Sequence, residues 1–124
     1  MPPTELLFYM DQRGNVPVLD WLTRLDARDP RAADKCAARL ERLAALGHEL
    51  RRPEADYLGD GLFELRARHG TVNYRMIYFF HGKHTAVLVE GLVKKDRVPT
   101  AAMARSLRRK LVFERDPSAH TYTR

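Results

Sequence analysis

The spacing of hydrophobic residues changes along the chain, and each spacing predicts a different element. The run Glu5–Met10 (ELLFYM) is short, apolar and rich in strand formers, and a turn-like segment follows it. It predicts a first strand, buried on both faces and central in a sheet. Apolar residues then recur at helical spacing over residues 17–25 and again between Asp29 and Gly47. The two segments predict an antiparallel helical hairpin.

Both helices of this hairpin have start signals. Asn15 can cap the first helix, which holds Pro17 in its first turn. Asp29 and Pro30 stand at the capping and first positions of the second helix, and Gly47 can supply its left-handed end. The apolar stripe expected on the second helix comprises Ala33, Cys36, Ala37, Leu40, Leu43 and Ala44.

After a polar connector over residues 48–60, the apolar positions alternate. Leu62–Arg68, Asn73–Phe80 and Thr85–Val93 read as three strands joined by short turns, which predicts an antiparallel meander. Pro99 then opens a last helix that runs to about Glu114. Its expected apolar stripe is Met103, Leu107 and Leu111.

These elements predict an α+β fold. We expect a small antiparallel sheet, made of the N-terminal strand and the meander, with the helical hairpin on one face and a C-terminal helix. The length of 124 residues suits one domain over residues 1–124, and the polar residues 115–124 are expected to form a loose tail.

Charge is distributed unevenly along the chain. The formal net charge is +6. Residues 1–62 carry 9 basic and 11 acidic side chains, whereas residues 63–124 carry 13 basic and 5 acidic ones. A strongly basic half predicts a partner that is a polyphosphate, an anionic surface or an acidic protein.

Several other chemistries find little support. His81 and His84 form a close histidine pair, but no nearby residue completes a zinc set, so no metal is expected. Cys36 lies on an apolar stripe, where a thiol is inert. We recognise no cofactor-binding motif, membrane-spanning run or secretory leader. A single cysteine fits a reducing cytoplasm, and we expect a cytoplasmic protein without a small-molecule cofactor.

A basic cluster on the meander is the strongest chemical signal. Arg66 and Arg68 share one face of their strand, Arg75 lies on the next strand, and Lys94 and Lys95 end the third. The residues expected near them are Arg97, Tyr74, Tyr78 and His69. Aromatic and cationic side chains together suit unstacked RNA. The alternative is a solvated outer face, with Glu64 pairing to Arg75 across the hairpin.

Three spaced motifs carry a resemblance to a known family. They are GLFELR from Gly61, YRMIYF from Tyr74 and VEGLVKK from Val89, and Pro99 follows them to open a basic helix. The set resembles the phage-derived HigB-like branch of the RelE/ParE toxin superfamily, whose pattern runs LWELR, YRIFYF and LLHGFVKK before a proline. The resemblance covers about residues 61–111.

The resemblance implies the toxin of a type II toxin–antitoxin pair with a RelE-like fold. Such toxins cleave mRNA in the ribosome without a metal, and their partners are helix-turn-helix antitoxin proteins. For such a reaction we expect Arg66, Arg75 and Lys94 at the scissile phosphate. His69 is the best placed along the sequence for proton transfer, and Tyr74, Tyr78 and Glu64 are the alternatives. RNA, ribosome or antitoxin contacts are expected from Arg68, Tyr74, Tyr78, Lys95, Arg97, Arg105, Arg108 and Arg109.

One departure keeps other functions open. Glu90 stands where the family pattern has histidine, so a proton-transfer group is missing if that histidine has such a role. Glu90 could instead simply pair with a nearby arginine. A binding-only inhibitor, such as a ParE-like gyrase poison or an inactive toxin homologue, and a basic RNA-binding module are the alternatives to a ribonuclease.

Overall fold

The computed structural model describes residues 3–93 and 97–122. The strands are β1 (Glu5–Phe8), β2 (Ala55–Gly59), β3 (Leu62–His69), β4 (Val72–Phe80) and β5 (Thr85–Val93). The helices are α1 (Pro17–Arg28), α2 (Pro30–Leu46) and α3 (Thr100–Arg115), with short 3-10 turns at Gly47–Glu49 and Ser118–His120. The predicted α+β class, helical hairpin, meander and C-terminal helix are confirmed.

The sheet has five strands in the order β1-β5-β4-β3-β2. It is mixed rather than antiparallel, because β1 runs parallel to β5. It also contains β2, which pairs with β3 inside the segment that we expected to be a polar connector. Since β2 has only five residues and ends in a glycine, its sequence is too short to show the sustained alternation by which β3 is recognised.

The predicted central position of β1 is wrong, because β1 is a terminal strand of the sheet. Its apolar residues are explained by two covering layers instead of two neighbouring strands. Leu6 and Phe8 pack with the core beneath the helical hairpin, whereas Leu7 and Tyr9 pack with the core beneath α3. An apolar run on both faces therefore indicated burial from above and below, not a position inside the sheet.

The C-terminal residues cover the outer side of β1, which corrects the expectation of a loose tail for the part that is described. Tyr9 forms an antiparallel bridge with Thr121, and the Tyr122 backbone N–H donates to the Phe8 carbonyl at 2.9 Å. The His120 carbonyl accepts from the Met10 N–H at 2.9 Å. This short segment satisfies backbone groups that an edge strand leaves open.

The second helix of the hairpin is capped as predicted, and the first is not. The Asp29 carboxylate accepts from the Ala32 N–H at 3.2 Å, and Gly47 ends α2 with φ 52°. The N-cap of α1 is Val16, without a side-chain cap. Asn15 instead donates to the Asp11 carboxylate in the preceding turn, at 3.2 Å between Nδ2 and Oδ2.

Two cores lie on opposite faces of the sheet. The face under α1 and α2 buries apolar and aromatic side chains, including Leu65, Met76 and Tyr78, together with Cys36. Burial raises the pKa of the Cys36 thiol to about 11, which fits the inert role expected for it. Gly91 allows this packing, because a Cβ atom there would lie 2.3 Å from Cδ2 of Trp21 on α1.

The second core lies between the sheet and α3, and its helical side differs from the expected stripe. The buried positions of α3 are Ala102, Ser106 and Phe113, while Leu111 is exposed. Met103 and Leu107 are partly buried, as predicted. The helix thus meets the sheet through small residues near its start and one large ring near its end. Within the described ranges, no helix is both long and apolar enough to cross a membrane.

Candidate functional site

Two arginines stand side by side on the face of the sheet that α3 partly covers. Arg66 on β3 is directly opposite Arg75 on β4. Like charges in this arrangement repel, unless an anion lies between them. Glu64, one row away on the same face, supplies that anion: its carboxylate accepts from Arg66 Nε at 2.5 Å and from Arg75 Nη1 at 3.2 Å. We call Glu64, Arg66 and Arg75 the sheet cluster.

Strand β2 adds a second carboxylate to the edge of this cluster. Asp56 is directly opposite Glu64, and Arg66 Nη2 donates to Asp56 Oδ2 at 3.2 Å. The other Asp56 oxygen lies 3.0 Å from Arg52 Nε. The hydrogen bond from Arg52 is the main cause that holds the pKa of Asp56 below its usual value, with smaller contributions from the charges of Arg52 and Arg66. Arg66 therefore neutralises two neighbouring carboxylates.

The members of the sheet cluster differ in their access to solvent. The Glu64 side chain is 1% exposed, Arg75 is 12% exposed and Arg66 is 36% exposed. Among the described residues, nothing accepts a hydrogen bond from the buried Arg75 Nε. Arg66 is therefore the member of the sheet cluster that an oxyanion in solution can reach without a rearrangement of the cluster.

A second buried carboxylate lies in the same row of the sheet, beyond Ile77. Glu64 and Glu90 pair with Ile77 from opposite sides, and both are buried. Glu90 Oε2 lies 2.5 Å from Arg105 Nη2, and Glu90 Oε1 lies 3.1 Å from Arg109 Nη1. Arg109 also donates to the Val89 carbonyl at 2.7 Å. We call Glu90, Arg105 and Arg109 the helix cluster, because its two arginines come from α3.

The position of Glu90 follows from a β-bulge in β5. Ile77 pairs with Glu90, but the next residue, Tyr78, pairs with Leu88, so Val89 is an extra residue. Val89 is buried in the α3 core, next to the row that holds Glu90. A bulge of this kind changes the direction of a side chain. The pairing of Glu90 with an arginine, one of our two interpretations of this residue, is confirmed.

Three of the predicted site residues lie on the other face of the sheet. Tyr74 and Tyr78 are buried in the core under the helical hairpin, and burial raises the pKa of Tyr78. Neither ring can stack on RNA unless the hairpin leaves the sheet, which corrects their expected place beside the arginines. His69 lies at the end of β3, 3.9 Å from Asp29 Oδ1 at the start of α2, and not beside Arg66 and Arg75.

The remaining predicted cations are exposed or lie outside the described residues. Arg68 is exposed on the face of Arg66, and its Nε donates to the Gly70 carbonyl at 3.0 Å. Arg97 and Arg108 are exposed, before and within α3. Lys94 and Lys95 fall outside the described residues. Their expected contacts with RNA stay predictions.

The sequence offers Glu64 as an alternative partner for Arg75 and gives no expectation for Asp56. Strand alternation carries the signal for Glu64, since residues 64, 66 and 68 must share a face. Asp56 has no such signal, because its role depends on β2. The links from Glu90 to α3 depend on the bulge and on where the helix packs.

The described residues contain no group of three or more His, Cys, Asp or Glu side chains that could hold a metal. The His81 ring packs edge-on against Phe113, with 5.1 Å between ring centroids. The charged side chains of the two clusters are arginines and carboxylates.

A protein-family model matches most of the chain. Residues 20–110 match the family described as phage-derived protein Gp49-like (DUF891). The chain belongs to the phage-derived Gp49-like family. This is a toxin-like family, and the match includes the hairpin, the meander and most of α3. No curated protein matches the chain.

Proposed function

We propose that this Gp49-like protein is the HigB-like toxin of a type II toxin–antitoxin pair, and that it cleaves mRNA on the ribosome. The observation that carries the proposal is the sheet cluster. Two arginines from neighbouring strands lie side by side and are held by one buried carboxylate. Membership of a toxin-like family supports the biological role.

The proposed reaction needs no cofactor, because RNA carries its own nucleophile. The ribose 2′-oxygen forms a bond to the adjacent phosphorus, and the bond from phosphorus to the 5′-oxygen breaks. A proton leaves the 2′-hydroxyl and a proton reaches the departing 5′-oxygen. The products are a cyclic phosphate end and a free 5′-hydroxyl end.

In this reaction, Arg66 and Arg75 neutralise the negative charge that develops on the phosphate oxygens. They can do so efficiently because strands hold them more rigidly than loops would. Glu64 acts as a positioning residue, since it fixes both guanidiniums. Lys94 remains the proposed third cation. His69 is on the opposite face, so we assign it no proton transfer at these arginines.

The partners follow from the same proposal. A formal net charge of +6 favours association with ribosomal RNA and mRNA. We propose a helix-turn-helix antitoxin as the protein partner and the cytoplasm as the compartment, because translating ribosomes are there. Arg68, Arg97, Arg105 and Arg108 are the proposed contacts outside the sheet cluster.

The test is 5′-end mapping of mRNA after a brief pulse of expression in a bacterial host without the antitoxin. The wild-type chain should produce new 5′-hydroxyl ends in translated reading frames. Arg75→Ala should reduce them by about 100-fold or more, as expected when a transition-state cation is lost. Arg42→Ala is the matched control, because Arg42 also binds a carboxylate, that of Glu54, but lies on α2.

The controls separate catalysis from folding. Each variant should be purified and its urea unfolding midpoint compared with that of the wild type. If a folded Arg75→Ala variant cleaves as well as the wild type, Arg75 has no catalytic role. If no variant, including the wild type, produces new ends, the ribonuclease proposal is wrong.

A binding-only inhibitor is the second candidate, and one specific observation favours it. The arginines of both clusters are already paired with carboxylates, and Glu90 stands where the resemblance leads us to expect a histidine. Under this alternative, expression should stop growth while mRNA stays intact. Inhibition of purified gyrase would then distinguish a gyrase poison from an inactive homologue.

A further inference from the structure

A groove of about 410 Å³ lies beside β2, at the end of the sheet opposite β1. Phe63, His48 and Tyr57 are among the residues that line it. Phe63 and Tyr57 have ring centroids 5.0 Å apart, and the exposed His48 stacks on Phe80 with centroids 3.6 Å apart. The groove therefore presents aromatic surface at the edge of the sheet.

Tyr57 is exposed but held in place. Tyr57 is 55% exposed, and the plane of its ring lies at 58° to that of Phe63. Its hydroxyl oxygen accepts a hydrogen bond from the Gly61 N–H at 3.0 Å, which ties it to the β2–β3 turn. An aromatic ring already fixed in this way loses little conformational freedom when a flat ligand stacks on it.

The rim of the groove is cationic and is joined to the sheet cluster. Arg51 and Arg52 line the groove, and the Arg52 side chain is 75% exposed. One oxygen of Asp56 holds Arg52 at 3.0 Å, and the other holds Arg66 at 3.2 Å. Tyr57 and Phe63 lie on the hairpin face, whereas Arg66 lies on the α3 face. An RNA strand with a phosphate at Arg66 therefore reaches Tyr57 by passing over the edge strand β2, where Asp56 links Arg66 to Arg52.

We propose that this groove is a nucleobase subsite for single-stranded RNA, in which a base stacks on Tyr57 and its phosphate meets Arg52. The proposal rests on the proposed function in one respect, namely that RNA is the substrate. Fixed aromatic rings beside exposed arginines are the combination with which proteins bind single-stranded nucleic acid. The subsite would hold a nucleotide flanking the scissile phosphate.

The first test measures binding rather than cleavage. Full-length protein is titrated against a short, fluorescein-labelled 2′-O-methyl RNA, which lacks the attacking hydroxyl, and anisotropy is recorded at low salt. Tyr57→Ala should weaken binding by about 5- to 100-fold, the range for losing one base–aromatic stack. Tyr57→Phe keeps the ring and should bind within about twofold of the wild type.

The matched control is Tyr122→Ala. Tyr122 is another exposed tyrosine, but it lies beside β1 at the opposite end of the sheet. Its removal should leave RNA affinity unchanged. Urea unfolding of all three variants shows whether a change in RNA affinity comes from a loss of folding. Tyr57→Phe also tests whether the hydrogen bond donated by the Gly61 N–H contributes to RNA affinity separately from the ring. Equal weakening in Tyr57→Ala and Tyr122→Ala would overturn the subsite.

The second test removes one base at a time from the RNA. With the wild type, one abasic position should weaken binding more than the others, and with Tyr57→Ala that difference should disappear. If the abasic position weakens RNA binding by the same factor in the wild type and in Tyr57→Ala, a base does not stack on Tyr57. If Tyr57→Ala loses affinity for an acidic peptide partner but not for RNA, the groove is a protein-binding site and the proposal is wrong.

The outcomes separate this proposal from the ribonuclease proposal. Normal cleavage by wild type, with equal RNA binding by Tyr57→Ala, would overturn the subsite only. Loss of RNA binding in Tyr57→Ala, with no cleavage by wild type on ribosomes, would support the subsite and overturn the ribonuclease.

Discussion

The two faces of the sheet are buried by different means. The face under α1 and α2 is filled by apolar and aromatic side chains, such as Leu65, Met76 and Tyr78. The face under α3 holds apolar residues too, but also two buried glutamates with four arginines around them. Buried charges need complete pairing, and apolar residues of the same size often stabilise a fold as well or better. The buried charges of the α3 face therefore indicate a functional role for that face.

The two clusters on that face also differ from one another. The arginines of the sheet cluster come from β3 and β4, two strands that the sheet already joins, so Glu64 fixes the arginines rather than attaching another element. The helix cluster draws both arginines from α3, so Glu90 attaches that helix to β5. The first arrangement sets the positions of two cations, whereas the second stabilises the packing of a helix. Four substitutions test how the two faces and the two clusters contribute to stability, and they follow from the largest expected effect to the smallest.

Glu64→Ala should have the largest effect, destabilising the protein by about 3–5 kcal/mol. It leaves Arg66 and Arg75 directly opposite one another, and Arg75 is mostly buried. The free energy of unfolding in urea measures the loss. Arg66→Ala in the Glu64→Ala background should recover part of it, because the repulsion between the two arginines is removed. A loss below about 1 kcal/mol for Glu64→Ala would mean that the cluster is not a buried network.

Gly91→Ala, on the apolar face, should lower the free energy of unfolding of the protein by about 3 kcal/mol, at the upper end of the range for overpacking. The new Cβ would lie 2.3 Å from Trp21 Cδ2 and 2.5 Å from Trp21 Cε3, in the body of the indole. Trp21→Ala should rescue much of the loss in the double variant, since it removes the collision. Purely additive losses in the two single variants and the double variant would show that the collision is not the cause.

Glu90→Ala should cost less, about 1–2 kcal/mol, because both arginines it releases can reach water. The Arg105 side chain is 42% exposed and that of Arg109 is 21% exposed. The loss should be accompanied by faster amide hydrogen exchange in α3, while exchange in β3 and β4 stays unchanged. Equal losses from Glu64→Ala and Glu90→Ala would remove the distinction between the two clusters.

The smallest effect is expected at Glu54, whose ion pairs with α2 make the free energy of unfolding depend on pH under acidic conditions. The hydrogen bond from Arg42 is the main cause that lowers the pKa of Glu54 from its usual 4.5, and the charges of Arg42 and Arg39 add to it. A carboxyl group with a lowered pKa stabilises the fold above its unfolded pKa, and this contribution is lost as pH falls through the folded value. Glu54→Gln should therefore lower stability at neutral pH and flatten its decline below pH 4.5. Urea midpoints across this range test the expectation, and parallel curves for the two proteins would contradict it.

Most of the fold could be predicted because the long elements have strong local patterns. Leu62–His69 alternates and Val72–Phe80 ends in five consecutive apolar residues, while Asp29, Pro30 and Gly47 delimit α2 through their own backbone preferences. The parts that failed depend on neighbours. Strand β2 forms because β3 supplies its partner, and β1 can be largely apolar although it is a terminal strand because helices cover both of its faces.

The candidate site could be predicted only in part. Alternation places Arg66 and Arg68 on one face, and the short turn brings Arg75 opposite, so this group followed from the sequence. The same rule already separates His69 from Arg66. The burial of Tyr74 and Tyr78 under the hairpin did not follow, because the alternation of a strand does not say which face a helix covers.

The sequence by itself determined the α+β class, the helical hairpin, the meander and the presence of a basic strand face, because these depend on residues near one another along the chain. Tertiary structure alone decided what the charges do. Asp56 reaches Arg66 only through β2, and Glu90 reaches Arg105 and Arg109 only because a bulge turns it toward α3. Ion pairs between residues distant in sequence depend on packing, and packing is a property of the whole fold.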